Sequence, residues 1–139
     1  MQLTHQNFPS LPHVTVLHVS GAVDGSNYRL LIEQVRALFS NGTRKLLLDM
    51  ENCLFLSSAG LVALHSAALI AHQLAPFDAE HGWEALHAMA DDQRSFKDNL
   101  KIINVQPNVW RTLDTAGLMP MFDLHPDAQA AAAACLPVG

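Results

Sequence analysis

"KLLLDMENCLFLSSAGL", residues 45 to 61, decides the fold. Its first six residues, "KLLLDM" (45 to 50), are short and nearly all apolar. That pattern belongs to a strand covered on both faces in a mostly parallel sheet. Two adjacent serines follow, and then "SAGLVALHSAALIAHQL" (58 to 74), rich in Ala and Leu and apolar around most of its circumference. Alanine and leucine favour a helix, and a helix without a polar face must be largely buried. A buried strand running into a buried helix needs layers on either side, which points to an α/β domain.

Upstream, "HVTVLHVSG" (13 to 21) alternates, is rich in valine and closes on Gly21, the pattern of a strand ending in a turn. From Asn27, "NYRLLIEQVRALFSNG" places Leu30, Leu31, Val35, Leu38 and Phe39 at helical spacing, with Asn27 suited to the N-cap and Gly42 to the position past the C-cap. Strand, helix and strand make a βαβ unit. Downstream, "LKIINV" (100 to 105) reads as a buried strand and "PNVWRTLDTAG" (107 to 117) as a helix started by Pro107 and stopped by Gly117. "MFDLH" (121 to 125) reads as a short edge strand and "PDAQAAAAAC" (126 to 135) as a final helix. Between the buried helix and the strand at 100, residues 75 to 99 are more polar, open with Pro76 early and hold one short helical pattern, "GWEALHAMA". They read as an inserted excursion that protrudes from the core. The expected architecture is one α/β domain over residues 1–139, with a mixed, mostly parallel sheet of four to five strands packed against about four helices.

Composition narrows the function. With 139 residues, half of them apolar and 15% charged, the chain has one domain's worth of core. The formal charge is −5, Lys and Arg total 8, and no basic cluster occurs, which argues against nucleic acid as a partner. Cys53 and Cys135 stand far apart with no CxxC pair, so both are expected to be reduced and structural. No secretion signal and no apolar run of membrane-spanning length is visible, so a cytoplasmic protein is expected. Of the eight histidines, His65 and His72 are seven apart on the buried helix and His81 and His87 lie in the excursion. No zinc spacing results, so neither a metal nor a cofactor is expected. "LSSAG" is not the GxSxG nucleophile elbow, and a hydrolase is the weakest reading.

A right-handed crossover puts the loops after both strands at one carboxyl edge of the sheet, where α/β proteins gather their functional groups. "GAVDGS" (21 to 26) therefore neighbours "ENCLFLSS" (51 to 58), and Asp24 is expected within reach of Ser58. Ser57 suits the N-cap and Ser58 the first turn, where free N–H groups and the helix dipole favour an added anion such as phosphate. Spacing alone favours simple capping for the serines and an ordinary turn role for Asp24.

Three words in order change that balance. "VSGAVDGSN", "KLLLDMENCLFLSSAGL" and "VQPNVWRTLDTAGL" together resemble the STAS domain of bacterial anti-sigma factor antagonists, over roughly residues 13 to 74 and 100 to 135. The resemblance implies a protein without enzymatic turnover whose partner binding is switched by serine phosphorylation. The implied partners are an anti-sigma factor that is itself the serine kinase, and a serine phosphatase; a homo-oligomer is compatible with it. By motif position the phosphoacceptor is Ser58, with Ser57 as the alternative. Partner binding falls on Asp24, Ser57, Ser58 and Gly60. Two departures stand out: Ser57 replaces the aspartate the family usually carries before the acceptor, and Ala59 stands where a second serine is common. The rival reading is a constitutive STAS scaffold, in a signalling assembly or as a transporter-associated subunit, in which Ser58 only caps the helix.

Overall fold

Leu46, Leu47 and Leu48 are each fully buried, so the strand that carries them is covered on both faces. In a computed structural model that describes residues 1–9, 11–74 and 98–135, this strand is the centre of a five-stranded sheet of order β1-β2-β3-β4-β5. The strands are β1 (Gln2–Phe8), β2 (Leu11–Ser20), β3 (Lys45–Asn52), β4 (Leu100–Ile103) and β5 (Asp123–His125). β1 runs antiparallel to β2, and β2 through β5 are parallel. The helices among the described residues are α1 (Tyr28–Ser40), α2 (Ser58–Ala71), α3 (Pro107–Thr115) and α4 (Ala128–Ala134).

Alternation of side chains divides the sheet into two unequal faces. Leu17, Val19, Leu46, Leu48, Met50, Leu100 and Ile102 point to the larger core, where α1 contributes Leu31 and Val35, α2 most of its surface, and α3 Val109 and Leu113. On the other face Val14, Val16, Leu47 and Ile103 meet, among the described residues, a thin layer made by Ala128 and Ala131 of α4 with Phe8, Leu11 and Cys135. Small alanines let this short helix lie close to the strands. α2 has eleven buried residues of fourteen, as its unbroken apolar surface requires.

The expected mixed sheet and four helices are present. Several elements differ from that expectation. β1 has no counterpart in the sequence reading, because Gln2, Thr4, His5, Gln6 and Asn7 are exposed and no apolar period marks it. β4 stops at Ile103 because Asn104 takes a left-handed backbone (φ 57°) that turns the chain toward α3. Met119–Met121 form a 3₁₀ turn around Pro120, which delays β5 to Asp123. The last helix starts at Ala128, capped by Asp127, whose Oδ1 accepts the Ala130 N–H at 2.8 Å. Of the excursion expected at 75–99, residues 75 to 97 lie outside the described residues.

Candidate functional site

Parallel pairing of β2 with β3 continues past the ends of both strands. Gly21 N–H donates to Asn52 O at 2.9 Å, Val23 N–H to Phe55 O at 3.1 Å, and Ser57 N–H to Val23 O at 3.0 Å. Val23 and Leu56 form a parallel bridge and both are buried. The two loops at the carboxyl edge are thus zipped into one surface, as the crossover rule requires. Gly21 needs its positive φ of 98° to begin this path. Gly60 is fixed by proximity: a Cβ there would stand 2.8 Å from the Val23 carbonyl and 3.1 Å from Leu56 Cδ2. The first turn of α2 presses that closely on the β2 loop.

Ser57 is the N-cap of α2, in extended backbone (φ −82°, ψ 179°), and its Oγ accepts the Gly60 N–H at 3.3 Å. Ser58 is the first helical residue and is exposed, with no side-chain hydrogen bond among the described residues. No acidic residue occupies the first turn. The positive end of the helix is therefore not offset by a local carboxylate.

Across the zipped loops, Asp24 is half-buried, and its Oδ1 accepts from the Ser26 amide at 2.8 Å and from the Ser26 hydroxyl at 2.5 Å. These two hydrogen bonds hold its carboxyl below the ordinary carboxylate range, so it is charged at neutral pH. Asn27 sits at the N-cap of α1 but does not cap with its side chain. Its Oδ1 instead accepts the Asp24 N–H at 2.9 Å and its Nδ2 donates to Ala22 O at 3.0 Å, which makes the loop rigid. Asp24 and Ser58 each follow a residue of the Val23–Ser57 backbone pair, and no hydrogen bond joins them to each other.

Sequence reasoning missed two features of this edge. Leu54 and Phe55 are 63% and 53% exposed, while their neighbours Cys53 and Leu56 are buried. The signal was present: two large apolar residues past the end of a strand and before a helix cap belong to neither element. The second feature lies beneath the loops on the thinner face. Asp49 Oδ2 pairs with His18 Nδ1 at 2.7 Å, while Asp49 Oδ1 accepts from Asn104 Nδ2 and from the Glu51 N–H, each at 3.0 Å. One carboxylate thus ties together the ends of β2, β3 and β4. Burial alone would raise its pKa, but hydrogen bonds from Asn104, the Glu51 amide and His18 outweigh that and lower it.

Burial raises the Cys53 thiol, and its Sγ donates to Phe55 O at 3.5 Å. His72 donates from Nδ1 to Ala68 O at 2.8 Å and accepts the Asn99 N–H on Nε2 at 3.2 Å, and His65 is buried within α2. His81 and His87 lie outside the described residues. Among the described residues no three His, Cys, Asp or Glu side chains converge as metal ligands, and no helix is long and apolar enough to cross a membrane.

Residues 7–75 match the family model described as "Mlab, STAS domain". No curated protein matches the chain. Among solved structures, the chain is similar to an anti-sigma factor antagonist from Mycobacterium paratuberculosis, with 22% identity and a TM-score of 0.67 over 96% of this chain and 92% of that one. A putative anti-sigma factor antagonist from Thermotoga maritima gives 12% identity and a TM-score of 0.70 over 96% and 93%. The Bacillus cell fate determinant SpoIIAA in its phosphorylated form gives 14% identity and a TM-score of 0.53 over 94% and 99%. At these identities the likeness is one of fold.

Proposed function

This chain belongs to the STAS domain family, and from that premise we propose that it is an anti-sigma factor antagonist-like regulator whose partner binding is switched by phosphorylation of Ser58. The observation that carries the reading is the exposed Ser58 hydroxyl at the first position of α2, three residues from the exposed Phe55 and four from Leu54. The apolar pair supplies contact area for a protein partner, and the hydroxyl beside it supplies the control. The partner is an anti-sigma factor with serine kinase activity, and a serine phosphatase reverses the modification. In the forward step Ser58 Oγ loses its proton to a base of the kinase and bonds to the γ-phosphorus of ATP, and ADP leaves. The regulator itself has no turnover.

The switch follows from local charge. A phosphate adds about −1.5 to −2 charges near neutral pH. At the start of α2 the fold tolerates it, because the helix dipole and the free N–H groups of the first turn favour an anion. At the partner surface the same charge is near the ionised Asp24 loop and beside Leu54 and Phe55, where docking would have to strip its water. Binding is weakened while folding is not.

Incubation with the cognate kinase and ATP, followed by peptide mass spectrometry, tests the assignment. Phosphate is expected on Ser58, and modification confined to Ser57 or to another residue overturns it. A second reading has one observation in its favour: Ser57 is uncharged where the antagonists usually carry aspartate. On that reading the Leu54–Phe55 surface binds constitutively, as in a scaffold or transporter-associated subunit, and Ser58 is only the first residue of a helix.

A further inference from the structure

The two edges of the sheet are unlike. β5 is three residues long, and its Asp123 accepts from Lys101 Nζ at 2.7 Å and from His125 Nε2 at 2.8 Å. Short, charged edge strands resist pairing with other chains. β1 is the opposite case: "QLTHQNF" runs for seven residues without Asp, Glu, Lys, Arg, Pro or Gly. One side of it pairs with β2 in unbroken register from Gln2 to Asn7, and its other side has no strand partner among the described residues. The register shift between Asn7 and Phe8 interrupts the strand only at its far end.

A second observation points to the same edge. Gln34 of α1 donates from Nε2 to His5 Nδ1 of β1 at 3.3 Å, so that side of α1 faces the β1 edge. Leu30 and Ala37 lie four residues before and three after Gln34, on one stripe of the helix. Both are exposed, and Leu30 is 60% exposed. A large exposed apolar side chain thus lies one helical turn from the Gln34–His5 contact, beside an uncharged strand that has no outer neighbour among the described residues.

We propose that this edge is a self-association surface, on which β1 pairs antiparallel with β1 of a second copy and the Leu30–Gln34–Ala37 stripes meet above the joined strands. A second copy fits better than a foreign extended peptide for two reasons. Pairing a strand with itself about Thr4 sets Gln2 against Gln6 and Leu3 against His5, so each face of the pleat continues across the junction and no like charges are opposed. The two-fold axis of such a pair stands normal to the sheet, so both α1 helices lie on one face, where each Leu30 gains apolar contact. A peptide added to β1 would leave Leu30 exposed.

Sedimentation velocity of the full chain over a range of concentrations reads the association, with hydrogen exchange of the β1 amides measured on the same samples. A dimer is expected whose β1 protection falls on dilution. Thr4→Lys with Gln6→Lys opposes like charges across the junction, and Leu30→Glu removes the apolar contact. Each should weaken dimerisation by about tenfold or more while leaving the thermal melt of the monomer in place. A wild-type chain that stays monomeric throughout, a dimer indifferent to these substitutions, or β1 protection that does not respond to dilution overturns the proposal. Should a variant fail to fold, the dilution dependence of β1 exchange in the wild type still decides.

Discussion

Gly60, Ser57 and Asp49 each hold the candidate edge in place by a different physical means, and each can be tested singly. At Gly60 an added methyl would sit 2.8 Å from the Val23 carbonyl, which belongs to backbone already bonded to Ser57. Gly60→Ala should therefore destabilise the fold by roughly 1 to 3 kcal/mol, as overpacked sites do, despite alanine's better helix propensity. A thermal or urea melt reads it, and an unchanged midpoint would show that α2 can retreat. Ser57→Ala removes the cap, and with a 3.3 Å bond the loss should fall toward the low end of the roughly 0.5 to 2 kcal/mol range. Asp49 has its pKa lowered from the ordinary 3.8 by hydrogen bonds that outweigh burial. Its contribution to stability is fully present above the unfolded value and is lost as pH falls through the lower, folded value. Melting temperature should accordingly drop below about pH 4. Asp49→Asn should flatten part of that acid limb, with further contributions from Asp123, lowered by Lys101 and His125, and from Asp24, lowered by Ser26.

Helices and strands were legible in proportion to how burial writes itself into sequence. β3 and α2 are covered on all sides, so continuous apolar residues announced them. The carboxyl-edge location of Ser57, Ser58 and Asp24 followed from the handedness of one crossover. β1 is half of a two-stranded antiparallel margin held by backbone bonds, and backbone bonds leave no compositional trace. For the same reason the Asp49 tie was invisible: it depends on His18, Glu51 and Asn104 arriving from separate segments, and Asn104 must adopt a left-handed backbone to do so. At this scale α2 carries the most weight. Leu64 is fully buried within it, and Leu64→Ala should cost about 2 to 5 kcal/mol through lost burial and the cavity left behind, more than the loss of the Ser57 cap.

Across the whole molecule, the load of stability and the proposed means of control are separated. The core lies between the sheet and α1, α2 and α3, while the exposed Ser58 hydroxyl, the Leu54–Phe55 pair and the Asp24 loop occupy one carboxyl edge. Charge introduced at that edge should change what the protein binds before it changes whether it folds. Ser58→Asp places a carboxylate in the first turn of α2, where the dipole favours it by roughly 0.3 to 1 kcal/mol, so its melting temperature should hold or rise. The same carboxylate must be desolvated at the partner surface, a larger cost when the partner supplies no cation. Calorimetric titration of wild type, Ser58→Asp and Ser58→Ala against the candidate anti-sigma partner, beside a thermal melt of each, is the most direct measurement. A Ser58→Asp protein that is fully folded but binds weakly, with Ser58→Ala binding like wild type and unresponsive to kinase, is the predicted result; Ser58→Asp binding as tightly as wild type would contradict a phosphoserine switch at this edge.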